Sequence, residues 1–164
     1  MSEQNPAVIA LGANQGDRAA TLLAAATELA GADGVELTAL SPVHETVAIR
    51  PDGPDPDAPA YLNAIALIRT TLSPDDLLAL LHRIESGHGR VRQERWGDRT
   101  LDLDIVDYAG QRRDRDGLTL PHPRAAERDF VLRPWLEVDP DAELTGVGRV
   151  ADLLARLDAG ETPT

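Results

Sequence analysis

Residues 89–107 read GRVRQERWGDRTLDLDIVD, and the second half of that stretch decides the fold. From Leu101 onward, Leu101, Leu103 and Ile105 alternate with Asp102 and Asp104. Successive side chains of a strand point to opposite faces. The spacing therefore predicts a strand over residues 100–108, with three aliphatic side chains turned into a core and both carboxylates on the opposite face. The same alternation describes any half-exposed antiparallel strand. What sets this one apart is its approach, where Arg90, Arg92, Arg95, Arg99 and Trp96 crowd into ten residues that a solvated strand would not need. Two carboxylates side by side repel unless a cation lies between them. Oxygen ligands of this kind suit Mg²⁺, which keeps its remaining positions for water and phosphate oxygens. Arginine forks match phosphate geometry, so the stretch points to phosphoryl chemistry on a nucleotide.

Working outward, residues 61–70 (YLNAIALIRT) read as another strand, with Tyr61, Asn63, Ile65 and Leu67 on one face. A tyrosine and an asparagine two apart could stack on and hydrogen-bond a planar heterocycle; an edge tyrosine beside a solvated asparagine fits the pattern equally well. Ser73-Pro74-Asp75-Asp76 is a helix start, with Ser at the N-cap and Pro at the first position. Leu77, Leu80, Leu81 and Ile84 give that helix its apolar stripe, and Gly87 and Gly89 end it. Upstream, residues 7–11 (AVIAL) form a buried strand. The turn from Gly12 to Asp17 leads into a helix on which Leu22, Leu23, Ala26 and Leu29 face inward, with Asp17 as N-cap. That turn lacks the GKS or GKT ending of a nucleotide P-loop and reads as mainly structural. Residues 35–43 form a further strand, closed by Ser41-Pro42, and the loop after Arg50 carries Pro51, Pro54, Pro56 and Pro59.

Downstream, residues 110–117 read as a polar turn, 118–120 as a short strand, 124–127 as a short helix, and 130–136 as the start of another helical turn. An amphipathic helix over 150–157 and a frayed tail from 160 to 164 close the chain. No repeat or linker divides the sequence, so one domain is expected over 1–164. The order β-α-β-β-α-β predicts an α+β fold: a ferredoxin-like α/β sandwich with a mainly antiparallel central sheet and helices on both sides.

The chain has 164 residues and a formal net charge of −12, and all sixteen of its Lys and Arg positions are arginine. So acidic a surface is a poor general binder of nucleic acid, although a local arginine patch can still focus a polyanion. With no cysteine, disulfides and thiolate metal sites are excluded. The first residues lack the basic and apolar regions of a signal peptide, and no run approaches the roughly 18 apolar residues of a membrane span. A soluble, cytoplasmic, monomeric protein is expected, with no nucleic-acid or membrane partner.

Taken together, LGANQGDR near the start, YLNA at Tyr61, HRIE ending at Glu85, GRVRQERWGDRTLDLDIV, LTLPHP and ERDFVLRPW resemble the 6-hydroxymethyl-7,8-dihydropterin pyrophosphokinases of folate synthesis. The resemblance spans nearly the whole chain. It implies transfer of pyrophosphate from ATP to the hydroxymethyl group of a dihydropterin, with release of AMP. It further implies that Asp102 and Asp104 are ligands of two Mg²⁺ ions. Tyr61 and Phe130 would sandwich the pterin, with Asn63 reading its edge and Thr46 beside it. Arg90, Arg92 and Arg99 would be the catalytic loop arginines, with Trp96 closing over the site. Glu85, Ile105, Thr119, His122 and Arg128, together with Arg90 and Arg92, would contact ATP. The chain departs from the family in VAIRPDGP after Thr46, in Gly117 where many relatives carry arginine, in Asp98 for a common proline, and in a shorter loop between Arg92 and Trp96. Asp-Leu-Asp and the arginines alone would also suit a metal-dependent transferase acting on nucleotide sugars, or a module that binds Mg·ATP without chemistry.

Overall fold

The computed structural model describes residues 4–13, 18–46, 49–50, 53–54, 61–87, 101–115 and 117–160. Strand β1 (Asn5–Ala13) is followed by helix α1 (Arg18–Ala30) and strand β2 (Val35–Leu40). Strand β3 (His44–Thr46), the two-residue strands β4 (Ile49–Arg50) and β5 (Gly53–Pro54), and the long β6 (Tyr61–Thr70) come next. Helix α2 (Pro74–Gly87) then leads to β7 (Leu101–Tyr108). The main sheet has the order β2-β6-β1-β7, with β3 also paired to β6, and each of these pairings is antiparallel. This is the β-α-β-β-α-β arrangement that the sequence order predicts.

Both faces of the sheet are covered. Ile9 and Leu11 of β1, Ile68 of β6 and Leu101, Leu103 and Ile105 of β7 pack against Leu22 and Leu29 of α1 and Leu77, Leu81 and Ile84 of α2. The alternation of β1 and of the first half of β7 supplies that face, as their spacing requires. On the other face, Ile65 and Val106 lie under a second set of helices. These are α3 (Asp129–Val138) and α4 (Val150–Asp158), which contribute Val131, Leu132, Trp135, Val150 and Leu153.

Helix α2 begins where its residues dictate: Ser73 Oγ accepts the Asp76 N–H at 3.1 Å, and Pro74 occupies the first helical position. Four expectations are corrected. Leu23, expected on the inward face of α1, is 64% exposed. The strand expected over 35–43 ends at Leu40 and resumes as β3, because Ser41 meets β6 with its own groups. Its N–H bonds Ile65 O at 2.9 Å and its Oγ accepts the Ile65 N–H at 2.8 Å, while Pro42 has no N–H to offer. The polar turn expected over 110–117 contains strand β8 (Arg113–Arg115), paired with β9 (Leu118–Leu120). Arg113 fixes that hairpin to α2 through a two-pronged pair with Asp75, at 2.7 and 3.0 Å. A further hairpin, β10 (Glu143–Leu144) with β11 (Gly148–Arg149), was not anticipated. The short helix expected over 124–127 is a single 3₁₀ turn, Ala125–Glu127. The expected cap Asp17, most of the turn before it, most of the proline-rich loop and the end of the tail lie outside the described residues.

Candidate active site

Sheet register places the candidate residues in rows. Directly paired residues of antiparallel strands share a face. Gly12 of β1 is paired with Asn63 of β6 on one side and Asp102 of β7 on the other, and Asn63 is in turn paired with His44 of β3. The row therefore runs His44, Asn63, Gly12, Asp102 across one end of the sheet. One step in, Ala10 lies between Ile65 and Asp104. Asp102 and Asp104 are both half-buried, while the leucines flanking them are buried on the opposite face. The two carboxylates thus stand side by side, as the alternation predicts.

Between them, Leu103 donates its backbone N–H to Glu85 Oε2 at 2.7 Å. Glu85 is 3 % exposed and comes from α2, on the far side of the sheet edge. A buried carboxylate needs such a donor, and here the bond fastens β7 between the two aspartates. A cavity of about 270 Å³ opens at this edge and is lined by Glu85, Asp104, Ile105, Thr119 and His122. Five of the residues that the resemblance assigns to ATP contact or metal ligation therefore meet in one place. His82, not singled out in the sequence, joins them from α2. Only its i, i+3 spacing from Glu85 could have flagged it.

His122 follows the cis peptide Leu120–Pro121, and its N–H bonds Val106 O at 2.8 Å. Its Nδ1 accepts the Arg124 N–H at 3.1 Å, so the neutral ring carries its proton on Nε2. Burial pushes the ring's pKa down, Asp104 opposes that, and Arg128 and Arg124 add to it; the net direction is down. At neutral pH the ring is thus an uncharged hydrogen-bond donor. Arg128 precedes α3, with its guanidinium carbon 5.6 Å from the centre of the Phe130 ring. Burial lowers its pKa most and Arg124 adds to this, while Asp104, Glu127 and Asp102 pull it back up. The guanidinium stays charged and lies within the field of both aspartates. Phe130, in the first turn of α3, is half-buried against the second core.

Asn63 is 7 % exposed, and a Cβ added to Gly12 would lie 3.4 Å from its Oδ1. Gly12 and His44 flank Asn63 in its row, and the sequence reading assigned neither of them to the site. Thr46 and Tyr61 are paired across β3 and β6; their side chains, and all of Arg90, Arg92, Trp96 and Arg99, lie outside the described residues. Gly117 lies in the β8–β9 hairpin at φ +77°, a conformation that favours glycine over arginine, although no described residue comes within 4 Å of where a Cβ would sit. Among the described residues no cluster of three or more potential metal ligands occurs. Two carboxylates on one strand face, with phosphate supplying further oxygens, nevertheless match the donor set that Mg²⁺ prefers.

A larger groove of about 1050 Å³ at the opposite end of the same strands is lined by Asn5, Arg69, Asp107 and Thr145 and holds none of the predicted site residues. Its buried carboxylate, Asp107, is already engaged by the Tyr108 N–H and by the N–H and hydroxyl of Thr145. Of the predicted site residues, Glu85, Asp104, Ile105, Thr119 and His122 line the smaller cavity instead.

The family model for 7,8-dihydro-6-hydroxymethylpterin-pyrophosphokinase matches residues 8–140. A 2-amino-4-hydroxy-6-hydroxymethyldihydropteridine pyrophosphokinase of Methylorubrum extorquens is 40% identical over 152 residues, covering 93% of this chain and 93% of the relative. The enzyme of the same name from Haemophilus influenzae is 39% identical over 148 residues, with 90% of each chain covered. Among solved structures, Plasmodium falciparum HPPK-DHPS with pterin and p-hydroxybenzoate aligns with a TM-score of 0.74 at 13% identity. That alignment covers 98% of this chain and 44% of the other, so the chain spans less than half of that two-part protein. At this identity the likeness speaks for the fold.

Proposed function

The chain belongs to the 7,8-dihydro-6-hydroxymethylpterin-pyrophosphokinase family, and on that premise we propose how its residues divide the work. The enzyme transfers pyrophosphate from ATP to the hydroxymethyl group of 6-hydroxymethyl-7,8-dihydropterin, giving AMP and the pterin diphosphate, in folate biosynthesis. Phosphoryl chemistry of this kind leaves a protein little covalent work, so positioning and charge neutralisation dominate.

In this reading Asp102 and Asp104 hold two Mg²⁺ ions. When bound, the ions neutralise triphosphate charge and polarise the phosphoryl group under attack. The cavity beside Glu85, Ile105 and Thr119 takes the nucleotide. His122 offers its Nε2–H, and Arg128 its guanidinium, to phosphate oxygens on which charge grows. Asn63 reads the edge of the pterin, Phe130 and Tyr61 cover its two faces, and Thr46 stands beside it. In the same reading Arg90, Arg92 and Arg99 are the arginines that offset phosphate charge, and Trp96 joins them at the site.

The observation that carries this reading is the shared face of Asp102 and Asp104, with His122 and Arg128 inside the field of Asp104. Asp102→Asn and Asp104→Asn keep the side-chain shape and remove the ligand charge. Each is expected to lower turnover by about a hundredfold or more with an unchanged far-UV circular dichroism spectrum. Near-normal turnover in either variant contradicts the metal assignment.

A further inference from the structure

We propose that His44 and Glu137 form a positioning pair for the pterin pocket, locking β3 to α3 and so fixing the gap between Asn63 and Phe130. On its own sheet face Asn63 has two lateral neighbours, Gly12 and His44. Gly12 leaves space on one side, where an added Cβ would come within 3.4 Å of Asn63 Oδ1. His44 occupies the other side and bonds Glu137 Oε1 through its Nε2. Glu137 lies on α3, the helix whose first turn carries Phe130. Seven residues make about two helical turns, so both side chains project from the same face of α3, with Pro134 between them. A continuous line of groups runs from the residue that reads the pterin edge to the helix that carries its ring partner.

The pair matters because of what β3 lacks. It has three residues and, among the described residues, pairs only with β6. So short a strand is held by few ladder bonds, and its last residue is Thr46, which the proposed function sets beside the pterin. His44 is 28% exposed and Glu137 38%, so their attraction contributes little to global stability. Its effect is geometric: at a pocket wall a small misplacement weakens binding of the ligand there and leaves the remote nucleotide cavity untouched.

The inference rests on the assignment of Asn63 and Phe130 to the pterin, and the test separates the two. Steady-state kinetics with ATP and 6-hydroxymethyl-7,8-dihydropterin would compare His44→Phe, Glu137→Ala, Glu137→Gln, the double variant of the first two, and Asn63→Ala. His44→Phe and Glu137→Ala are each expected to raise the pterin KM about tenfold with the ATP KM unchanged. The double variant is expected to be no worse than either single one, and Glu137→Gln, which still accepts the bond, to stay close to wild type. Should His44→Phe fold poorly, Glu137→Ala, on an exposed helix face, carries the comparison. An unchanged pterin KM in Glu137→Ala, beside a raised one in Asn63→Ala, overturns the pairing and leaves the pterin assignment standing. Additive effects, or parallel rises for pterin and ATP, also overturn the pairing. An unchanged pterin KM in Asn63→Ala overturns both.

Discussion

Gly12 is paired with Asn63 and with Asp102, and its lack of a side chain keeps the row between them open. The proposed pterin and triphosphate meet above this row. Gly12→Val suits a strand yet fills that space, so the pterin KM is expected to rise at least about tenfold while thermal stability holds or improves. Unaltered steady-state kinetics would place the substrate elsewhere. The two aspartates were legible from sequence because strand periodicity acts between near neighbours, and it put both carboxylates on one face. Gly12, His44 and Glu137 were not legible. Each acquires its proposed role from a partner on another strand or helix, and register across a sheet is set by packing that no local pattern records.

Among the elements, α2 was read correctly from Ser73-Pro74-Asp75-Asp76, since capping chemistry is local. What that helix does at its other end was not readable. Glu85 reaches the edge of the sheet and holds the Leu103 N–H between the two aspartates. Glu85→Ala strands that donor, and the denaturant midpoint is expected to fall by the equivalent of about 1–3 kcal/mol. Turnover should fall with it, because β7 loses its fastening at the aspartates. Ser73→Ala provides the comparison: loss of the cap is expected to cost about 1 kcal/mol without changing either KM. Equal kinetic losses in the two variants would assign the effect of Glu85 to stability alone. The β8–β9 hairpin was missed although Asp116-Gly117 is a hairpin signal. Its strands are three residues each, and RDR on one side offers no apolar alternation. The β10–β11 hairpin, with two residues per strand, falls below any periodicity.

At the scale of the molecule, one sheet buries both faces, and the candidate site runs from one end of the face that α3 and α4 cover to the β7 edge beside α2. The α+β order was legible because long strands and amphipathic helices alternate clearly. The second helical layer was only partly so, since Pro134 interrupts the pattern of α3 and removes one backbone donor within it. On a chain with a net charge of −12, a triphosphate meets a repulsive surround everywhere but at its arginines and at the cations proposed for Asp102 and Asp104. Removing divalent metal with EDTA is therefore expected to abolish turnover, and added Mg²⁺ to restore it, without unfolding the protein. Full activity in EDTA would remove Asp102 and Asp104 from the chemistry. The most direct measurement is phosphorus NMR of the protein with Mg·ATP, with and without 6-hydroxymethyl-7,8-dihydropterin. AMP and a pterin diphosphate should form together and only when the pterin is present; ADP in place of AMP, or AMP formed at the same rate without pterin, would contradict pyrophosphoryl transfer.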